Sequence, residues 1–179
     1  MMSYSTRSMA NLKDKHILMV IAPTDFKDEE YFTPKKIFEE AGAEVITAST
    51  VQEAKSVKGK VQITDILVSE AVVDDYEALI FVGGPGASIY LDHNPSLTLA
   101  KNFNAKNKIV AAICMAPSII ANAGILEGKK ATVFSSEKEN LASKGAKLQD
   151  KAVVKDKNII TANGPDAAEE FAKTVADSL

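Results

Sequence analysis

The sequence predicts a doubly wound α/β fold, in which a mostly parallel sheet lies between two layers of helices. Three largely apolar runs, at 16–22, 78–82 and 109–113, have the composition of parallel strands that are buried on both faces. Helical patterns separate these runs, as the crossover connections between parallel strands require. Such three-layer αβα sandwiches bind ligands at the carboxyl ends of their strands, so the functional residues are expected there.

The remaining elements follow from apolar periodicity and from turn residues. Pro23 closes the first strand, and Gly42 ends the helix after it. Residues 50–75 lack helical periodicity and predict short strands outside the main sheet. The predicted strands are 16–22, 43–48, 78–82, 109–113, 130–134, 152–154 and 159–162, and the predicted helices lie within 24–42, 97–104, 117–128, 137–143 and 167–179.

Residues 1–11 are polar and have no apolar core of the signal-peptide kind, so they predict a flexible amino-terminal extension. One α/β domain over 12–179 is expected, because 179 residues is near the usual size of one domain. One cysteine cannot form an internal disulfide, and no apolar run is long enough to span a bilayer. We therefore expect a cytoplasmic protein.

Composition and motifs also bear on cofactors and partners. The net charge of -3 gives no general attraction to nucleic acid or to anionic membranes. One cysteine and two histidines lie in three separate segments, so no metal site is expected. The turn Gly83-Gly84-Pro85-Gly86 lacks the lysine and hydroxyl of a phosphate-binding loop and the spacing of a dinucleotide fingerprint. The sequence therefore predicts no cofactor, no nucleic acid and no membrane partner.

Cys114 lies where a buried strand is predicted to turn sharply into a helix. The run 109–113 precedes it, and Pro117 suits the first turn of a helix, since its missing N–H costs no hydrogen bond there. This arrangement is typical of a nucleophile elbow, with cysteine in place of serine. Unpaired backbone N–H groups and a helix dipole should lower the pKa of the thiol. The alternative is a small, inert core cysteine, which the position at the turn disfavours.

Four stretches of the chain resemble the DJ-1/ThiJ/PfpI superfamily of flavodoxin-like proteins, and the likeness runs from about residue 15 over nearly the whole chain. They are the acidic loop 25–34, the glycine turn 81–84, the elbow 111–117, and the last strand and helix, with 161–165 and 170–172. The resemblance implies a flavodoxin-like fold of the class I glutamine amidotransferase-like kind. It also implies a homodimer or a higher homo-oligomer.

The resemblance implies roles for four residues. Cys114 matches the reactive cysteine of the family, and Glu30 matches the glutamate that contacts it from the first loop. A protonated carboxyl can donate a hydrogen bond to a thiolate and stabilise its charge. Glu30 could instead be an exposed acid that favours the first helical turn through the dipole alone. The backbone N–H groups of Gly84 and Met115 match positions that face a developing oxyanion, although Gly84 could also serve only a tight turn.

Histidines are missing from the places where relatives carry them. Met115 directly follows the cysteine, and Phe134 stands where other relatives have a histidine past the next strand. His16 is expected at the amino edge of the sheet and His93 in a surface loop. Lys27 stands where many relatives have a second acid. Without a histidine beside the cysteine we do not expect a Cys-His peptidase, since an amine leaving group needs a proton donor.

These observations leave different kinds of function open. One is cofactor-free chemistry of the Cys114 thiolate on small reactive carbonyls, which the resemblance implies through glyoxalase- and deglycase-like relatives, or the related hydrolysis of a small amide. Another is a non-enzymatic, redox-sensing or chaperone-like stress protein in which the cysteine is oxidised. The expected partner is accordingly a small carbonyl compound or an oxidant. A fold kept as an interaction module with an inert cysteine is the third alternative.

Overall fold

A seven-stranded, mostly parallel sheet forms the centre of the computed structural model, which describes residues 10–179. The strands are β1 (His16–Val20), β2 (Thr24–Phe26), β3 (Glu44–Ser49), β4 (Glu53–Ser56), β5 (Val61–Ile63), β6 (Ile66–Leu67), β7 (Ala78–Phe81), β8 (Ile109–Ile113), β9 (Lys130–Ala131), β10 (Lys147–Leu148), β11 (Val153–Asp156) and β12 (Ile159–Ala162). The helices are α1 (Asp28–Glu40), α2 (Asn94–Ala105), α3 (Pro117–Asn122), α4 (Lys138–Ser143) and α5 (Ala168–Asp177). The strand order is β11-β12-β8-β7-β1-β3-β6, and each neighbouring pair is parallel except β11 with β12.

The helices cover both faces of this sheet. The connection from β1 through α1 to β3 runs toward one edge, whereas that from β7 through α2 to β8 runs toward the other. Because such crossovers are right-handed, α1 and α2 lie on opposite faces. The helix α5 packs against α1, and α3 packs against α2, which completes a layer on each side. The predicted doubly wound, three-layer fold is confirmed.

The central strands are buried because helices cover both of their faces. Every residue of β7 and β8 is buried, and so is every residue of β1 after His16. Leu18 in β1 lies opposite Ile46 in β3 and Leu79 in β7. The apolar runs of the sequence therefore correspond to the strands at the middle of the parallel sheet.

Residues 50–75 form short elements, as predicted, but the small sheet that they build also takes in part of the first loop. Thr24–Phe26 is a strand rather than part of a helical segment, and it pairs with β4, which pairs with β5. Helix α1 begins only at Asp28. The strand β6 does not stay outside the main sheet, because it pairs with β3 at the sheet edge.

Two other elements are shorter than the sequence predicts. Of the run 130–134, only Lys130–Ala131 forms a strand, which pairs with β10 in a separate two-stranded sheet. The helix after the elbow ends at Asn122, well before residue 128. Gly124 has a φ of +83°, a left-handed conformation that a continuing helix cannot contain.

Residues 1–9, most of the predicted extension, lie outside the described part of the chain. Ala10 is partly buried against the core, and the N–H of Leu12 donates to the carbonyl of Ala41 at 2.8 Å. In the part of the chain from residue 10 onward, no helix is both long and apolar enough to cross a membrane.

Candidate active site

The carboxyl ends of three neighbouring strands carry the candidate residues. The strand β1 leads through the loop 21–27 to Glu30, β7 leads to Gly83 and Gly84, and β8 ends directly before Cys114. The crossovers diverge toward opposite edges between β1 and β7, which is where doubly wound folds bind ligands. The topology therefore brings residues that are far apart in sequence to one place at the sheet edge.

Cys114 occupies a sharp turn between β8 and α3. Its φ of +66° lies in the left-handed region, which residues with a side chain rarely adopt. Its N–H donates to the carbonyl of Ala162 at 2.9 Å, and its own carbonyl accepts from the N–H of Phe134 at 2.7 Å. These two hydrogen bonds tie the turn to β12 and to the segment after β9, and so hold the strained backbone in place.

Gly83 separates Glu30 from Cys114, and only glycine leaves room for the pair. A Cβ atom at position 83 would lie 2.6 Å from Glu30 Oε1, 2.7 Å from Cys114 Cβ and 2.5 Å from the carbonyl oxygen of Ile113. All three distances are below 3.0 Å, a separation that Cβ atoms do not tolerate to non-bonded heavy atoms. In the sequence Gly83 stands out only as part of the glycine turn 81–84, and the available signal for its packing role was its position directly after a buried strand.

Gly84 allows the loop after β1 to approach the same turn. Its φ is +102°, and a Cβ atom there would lie 2.6 Å from the carbonyl oxygen of Asp25 and 2.7 Å from the nitrogen of Lys27. The N–H of Lys27 donates to the carbonyl of Gly83 at 3.1 Å. The two glycines therefore dock the first loop and bring the first turn of α1, with Glu30, to the elbow.

Glu30 is fully buried beside the cysteine rather than exposed on the helix. Neither carboxyl oxygen makes a hydrogen bond of full geometry, although the Cys114 thiol and the Gly83 N–H lie close to the group. Burial raises the pKa of Glu30 to about 7, and these two neighbours, with the charge of Lys27, offset only part of the rise. At neutral pH the carboxyl is therefore close to half protonated.

The thiol of Cys114 is subject to opposing influences. Burial, followed by the charge of Glu30, raises its pKa to about 12. Hydrogen bonds from the backbone N–H groups of Gly84 and Met115 lower the pKa, but by less. The prediction of a lowered thiol pKa is wrong while Glu30 is ionised, because burial and the neighbouring carboxylate outweigh the two N–H groups. The helix after the cysteine has only six residues, so its dipole is a weak source of stabilisation.

Glu30 and Cys114 titrate as a pair. From about pH 7 to about pH 12 the two groups hold one proton between them. With the proton on the carboxyl, the sulfur is a thiolate without a negative neighbour. With the proton on sulfur, the carboxylate is ionised in a buried position. The chemistry of the site therefore depends on which group keeps the shared proton.

Two side chains and one nearby cavity define the surroundings of the elbow. Phe134 is 43% exposed and Met115 is half-buried, so the two side chains flank the turn. A cavity of about 290 Å³ extends along Phe134 to Gly164 and Asp166. A larger groove of about 490 Å³ lies along the outer side of α1 and has no residue of the elbow in its lining. The smaller cavity does not include Cys114 in its lining either, but it reaches the elbow through Phe134, whose N–H donates to the carbonyl of Cys114.

A polar network that the sequence does not reveal holds α3 in place. The hydroxyl of Ser118, buried in the first turn of α3, donates to Glu137 at 2.7 Å. The side-chain amide of Asn140 donates to the same hydroxyl at 3.2 Å and to Asn122 at 3.1 Å. The network ties the helix that follows the cysteine to α4. A serine among the apolar residues of a helix was the one available signal for it.

The comparison with known protein families gives one match over nearly the whole chain. A family model described as the DJ-1/PfpI family matches residues 15–178. The chain belongs to the DJ-1/PfpI family. The resemblance seen in four stretches of the sequence is thereby confirmed.

Members of the DJ-1/PfpI family with similar length support this membership. An uncharacterized protein of Methanocaldococcus jannaschii is 42% identical, over 98% of this chain and 87% of that protein. General stress protein 18 of Bacillus subtilis is 32% identical, over 86% of this chain and 92% of that protein. The crystal structure of a ThiJ/PfpI domain protein from Brachyspira murdochii matches with a TM-score of 0.90 and 37% identity, over 93% of this chain and 96% of that chain.

Within this DJ-1/PfpI fold, the two histidines are engaged away from the elbow. His16 begins β1 at the amino edge of the sheet, where its ring nitrogens lie 3.5 Å from Glu44 and 3.7 Å from Glu77. His93 precedes α2, and its Nδ1 is hydrogen-bonded to the Ser96 hydroxyl at 2.7 Å. Among residues 10–179, no imidazole is hydrogen-bonded to the cysteine.

Proposed function

We propose that the protein uses Cys114 for cofactor-free chemistry on small reactive carbonyl compounds, of the glyoxalase or deglycase kind. The observation that carries this proposal is the buried contact between Glu30 and Cys114, with two backbone N–H groups at the sulfur. Addition to an aldehyde needs a nucleophile, a proton donor and hydrogen-bond donors for the developing oxyanion. These groups offer all three.

The proposed reaction requires that the shared proton resides on Glu30. The N–H groups of Gly84 and Met115 stabilise a negative charge on the sulfur. The Glu30 carboxylate has no hydrogen bond of full geometry to compensate for its burial. Keeping the carboxyl neutral avoids that cost, and the neutral group can donate a hydrogen bond to the thiolate. Charge is thus placed on the atom that attacks.

In the first step the thiolate attacks the aldehyde carbon, so that a carbon–sulfur bond forms and the π electrons of the carbonyl move to oxygen. The resulting oxyanion lies two bonds from the sulfur, next to the N–H groups of Gly84 and Met115. Glu30 then gives its proton to this oxygen, which yields a neutral thiohemiacetal and a carboxylate.

A 2-oxoaldehyde such as methylglyoxal can continue from this intermediate. The Glu30 carboxylate removes the hydrogen of the former aldehyde carbon as a proton, and the hydroxyl proton on that carbon passes to the neighbouring carbonyl oxygen. The return of the first proton from Glu30 to the neighbouring carbon then gives the 2-hydroxy thioester. Water hydrolyses the thioester, releases a 2-hydroxy acid and restores the thiol. Methylglyoxal and water together have the composition of lactic acid, so no oxidant or cofactor is needed.

Hydrolysis of a small amide is a less suitable use of the same groups. The departing amine must be protonated, and the contacts of His16 and His93 keep both imidazoles occupied elsewhere. Glu30 would then have to protonate both the oxyanion and the departing amine. Aldehydes make no such demand because they have no leaving group.

A second candidate is a redox-responsive stress protein in which a peroxide oxidises the thiolate to a sulfenic acid. Hydrogen peroxide transfers one oxygen to sulfur and leaves as water, so this step needs no further reactant. The observation that favours it is that Cys114, although buried, is 9% exposed, unlike the fully buried strand residues that precede it. The name of one relative, general stress protein 18, is compatible with such a role.

The two candidates are separated by assaying the wild type, Cys114→Ser and Glu30→Gln in parallel. Each is incubated with methylglyoxal, with dilute hydrogen peroxide and with a fluorogenic peptide, while product formation and intact mass are followed. We expect methylglyoxal consumption that is lost in Cys114→Ser and reduced in Glu30→Gln. A single oxygen adduct on the wild type without any turnover would support the redox role instead. Peptide cleavage that depends on Cys114 would contradict both.

A further inference from the structure

Lys27 is a charged residue at the site to which the proposed reaction gives no role. It lies in the short link between β2 and α1 and is half-buried. Within residues 10–179, no carboxylate lies within salt-bridge distance of its ammonium group.

The two acidic residues that follow Lys27 in the chain have other partners. Asp28 accepts hydrogen bonds from the Ser56 hydroxyl and the Lys58 N–H, and the Glu29 carboxylate faces the ammonium of that same lysine at 3.8 Å.

Backbone contacts hold Lys27 next to Gly83 and Glu30, the two neighbours of the reacting cysteine. Its N–H donates to the carbonyl of Gly83, and its carbonyl accepts from the N–H of Glu30, both at 3.1 Å. Gly83 in turn lies directly between Glu30 and Cys114. The charge of Lys27 also reaches the buried carboxyl, because it contributes to lowering the pKa of Glu30 after the larger effects of burial, Cys114 and Gly83.

We propose that Lys27 makes the site prefer 2-oxoaldehydes that carry a carboxylate over neutral ones. This inference rests on the proposed function, since it names the substrate class of the same thiolate. In the reactive state Glu30 is neutral and the sulfur carries the negative charge, which repels an anionic substrate. The ammonium of Lys27 offsets that repulsion and gains a carboxylate partner when such a substrate binds.

The carboxylate of the substrate takes no part in the bond changes. Addition of the thiolate, proton transfer from Glu30 and hydrolysis of the thioester proceed as for methylglyoxal. A suitable probe is 4,5-dioxopentanoate, a 2-oxoaldehyde with a carboxylate, which with water gives 2-hydroxyglutarate. Methylglyoxal is the neutral counterpart with the same reacting group.

Alkylation of Cys114 tests the charge preference without any turnover. Iodoacetate and iodoacetamide form the same kind of carbon–sulfur bond and release iodide, but only iodoacetate is an anion. We expect the ratio of their rate constants, iodoacetate over iodoacetamide, to fall about five- to tenfold in Lys27→Gln, as for removal of one nearby unit charge in a partly screened site. Lys27→Arg should keep the ratio. Lys36→Gln, which removes an exposed lysine of α1, is the matched control and should keep it as well.

The turnover measurement separates this inference from the proposed function. We expect Lys27→Gln to raise the KM for 4,5-dioxopentanoate about five- to tenfold and to leave the KM for methylglyoxal within about twofold. An unchanged alkylation ratio in Lys27→Gln, or an equal loss in Lys36→Gln, would overturn the inference. Absence of turnover with both aldehydes in the wild type would contradict the proposed function, whereas a lowered alkylation ratio would still support the charge preference at the sulfur.

Discussion

Glu30→Gln should slow the alkylation of Cys114 near neutral pH, because glutamine cannot share a proton with the thiol. In the wild type the pair loses its first proton near the pKa of Glu30, about 7. The proposed reaction places the remaining proton on the carboxyl, so that the sulfur becomes a thiolate in that same step and the alkylation rate rises through about pH 7. In the variant the thiol titrates alone.

The size of the effect follows from the pKa values of the two groups. At pH 7 about half of the wild-type pair has lost its first proton. A lone thiol with the ordinary pKa of 9.0 is only about 1% ionised at that pH, and burial raises the pKa of the Cys114 thiol above this value. With the remaining proton on Glu30, as the proposed reaction requires, the alkylation rate at pH 7 should therefore fall by at least about 50-fold in the variant, which corresponds to about 2 kcal/mol.

The assay is the second-order rate constant for iodoacetamide from about pH 5 to about pH 10, with the adduct identified by intact mass. Because the chain has one cysteine, each adduct reports Cys114. Glu29→Gln is the matched control, since Glu29 precedes Glu30 and faces Lys58 instead of the sulfur. A Glu30→Gln profile that overlays the wild type would refute the reasoning. An inflection at lower pH would also do so, by showing that the charge of Glu30 suppresses the thiolate.

Other parts of the site give predictions for folding stability. The pKa of Glu30 rises from 4.5 to about 7 on folding, so the folded state binds an extra proton between these two pH values. The free energy of unfolding should therefore fall by about 3 kcal/mol as the pH increases from 4.5 to about 7. Glu30→Gln should remove this pH dependence in urea titrations at several pH values. Gly83→Ala should lower the free energy of unfolding by at least about 2 kcal/mol, because the added Cβ would overlap Glu30, Cys114 and Ile113. In the control Gly124→Ala the added Cβ meets no atom within 4 Å, so only the backbone strain should reduce its stability. Equal losses of stability in thermal unfolding would contradict the overlap at Gly83. Ser118→Ala should cost about 1–2 kcal/mol by leaving Glu137 without its donor, and an unchanged melting temperature would show that the network does not stabilise α3.

The middle of the sheet could be predicted from sequence because its strands are buried on both faces and therefore carry apolar residues at every position. The short strands could not be predicted in the same way. Thr24–Phe26 is a strand only because β4 lies beside it, and Lys130–Ala131 is one only because β10 does. Such pairings depend on segments that are distant along the chain, and two or three residues are too few to show a period.

The same contrast between local and long-range signals applies to the residues of the candidate site. The turn at Cys114 has a local signal, an apolar strand followed by Pro117. Glu30 has none, since Asp28 and Glu29 suit the first helical turn equally well, and the family resemblance was needed to select it. The thiol pKa could not be predicted, because it depends on burial and on a carboxylate that comes from a separate loop.

The left-handed backbone at Cys114 also restricts how the chemistry of this protein could change in evolution. At a φ of +66° a side chain branched at Cβ is a severe outlier, so threonine is a poor replacement for the nucleophile. Serine fits the same backbone, but its hydroxyl needs a base to remove its proton, and the two imidazoles of the chain are hydrogen-bonded or paired elsewhere. A lineage that moved from thiol to hydroxyl chemistry at this fold would therefore have to acquire the base before it exchanged the nucleophile.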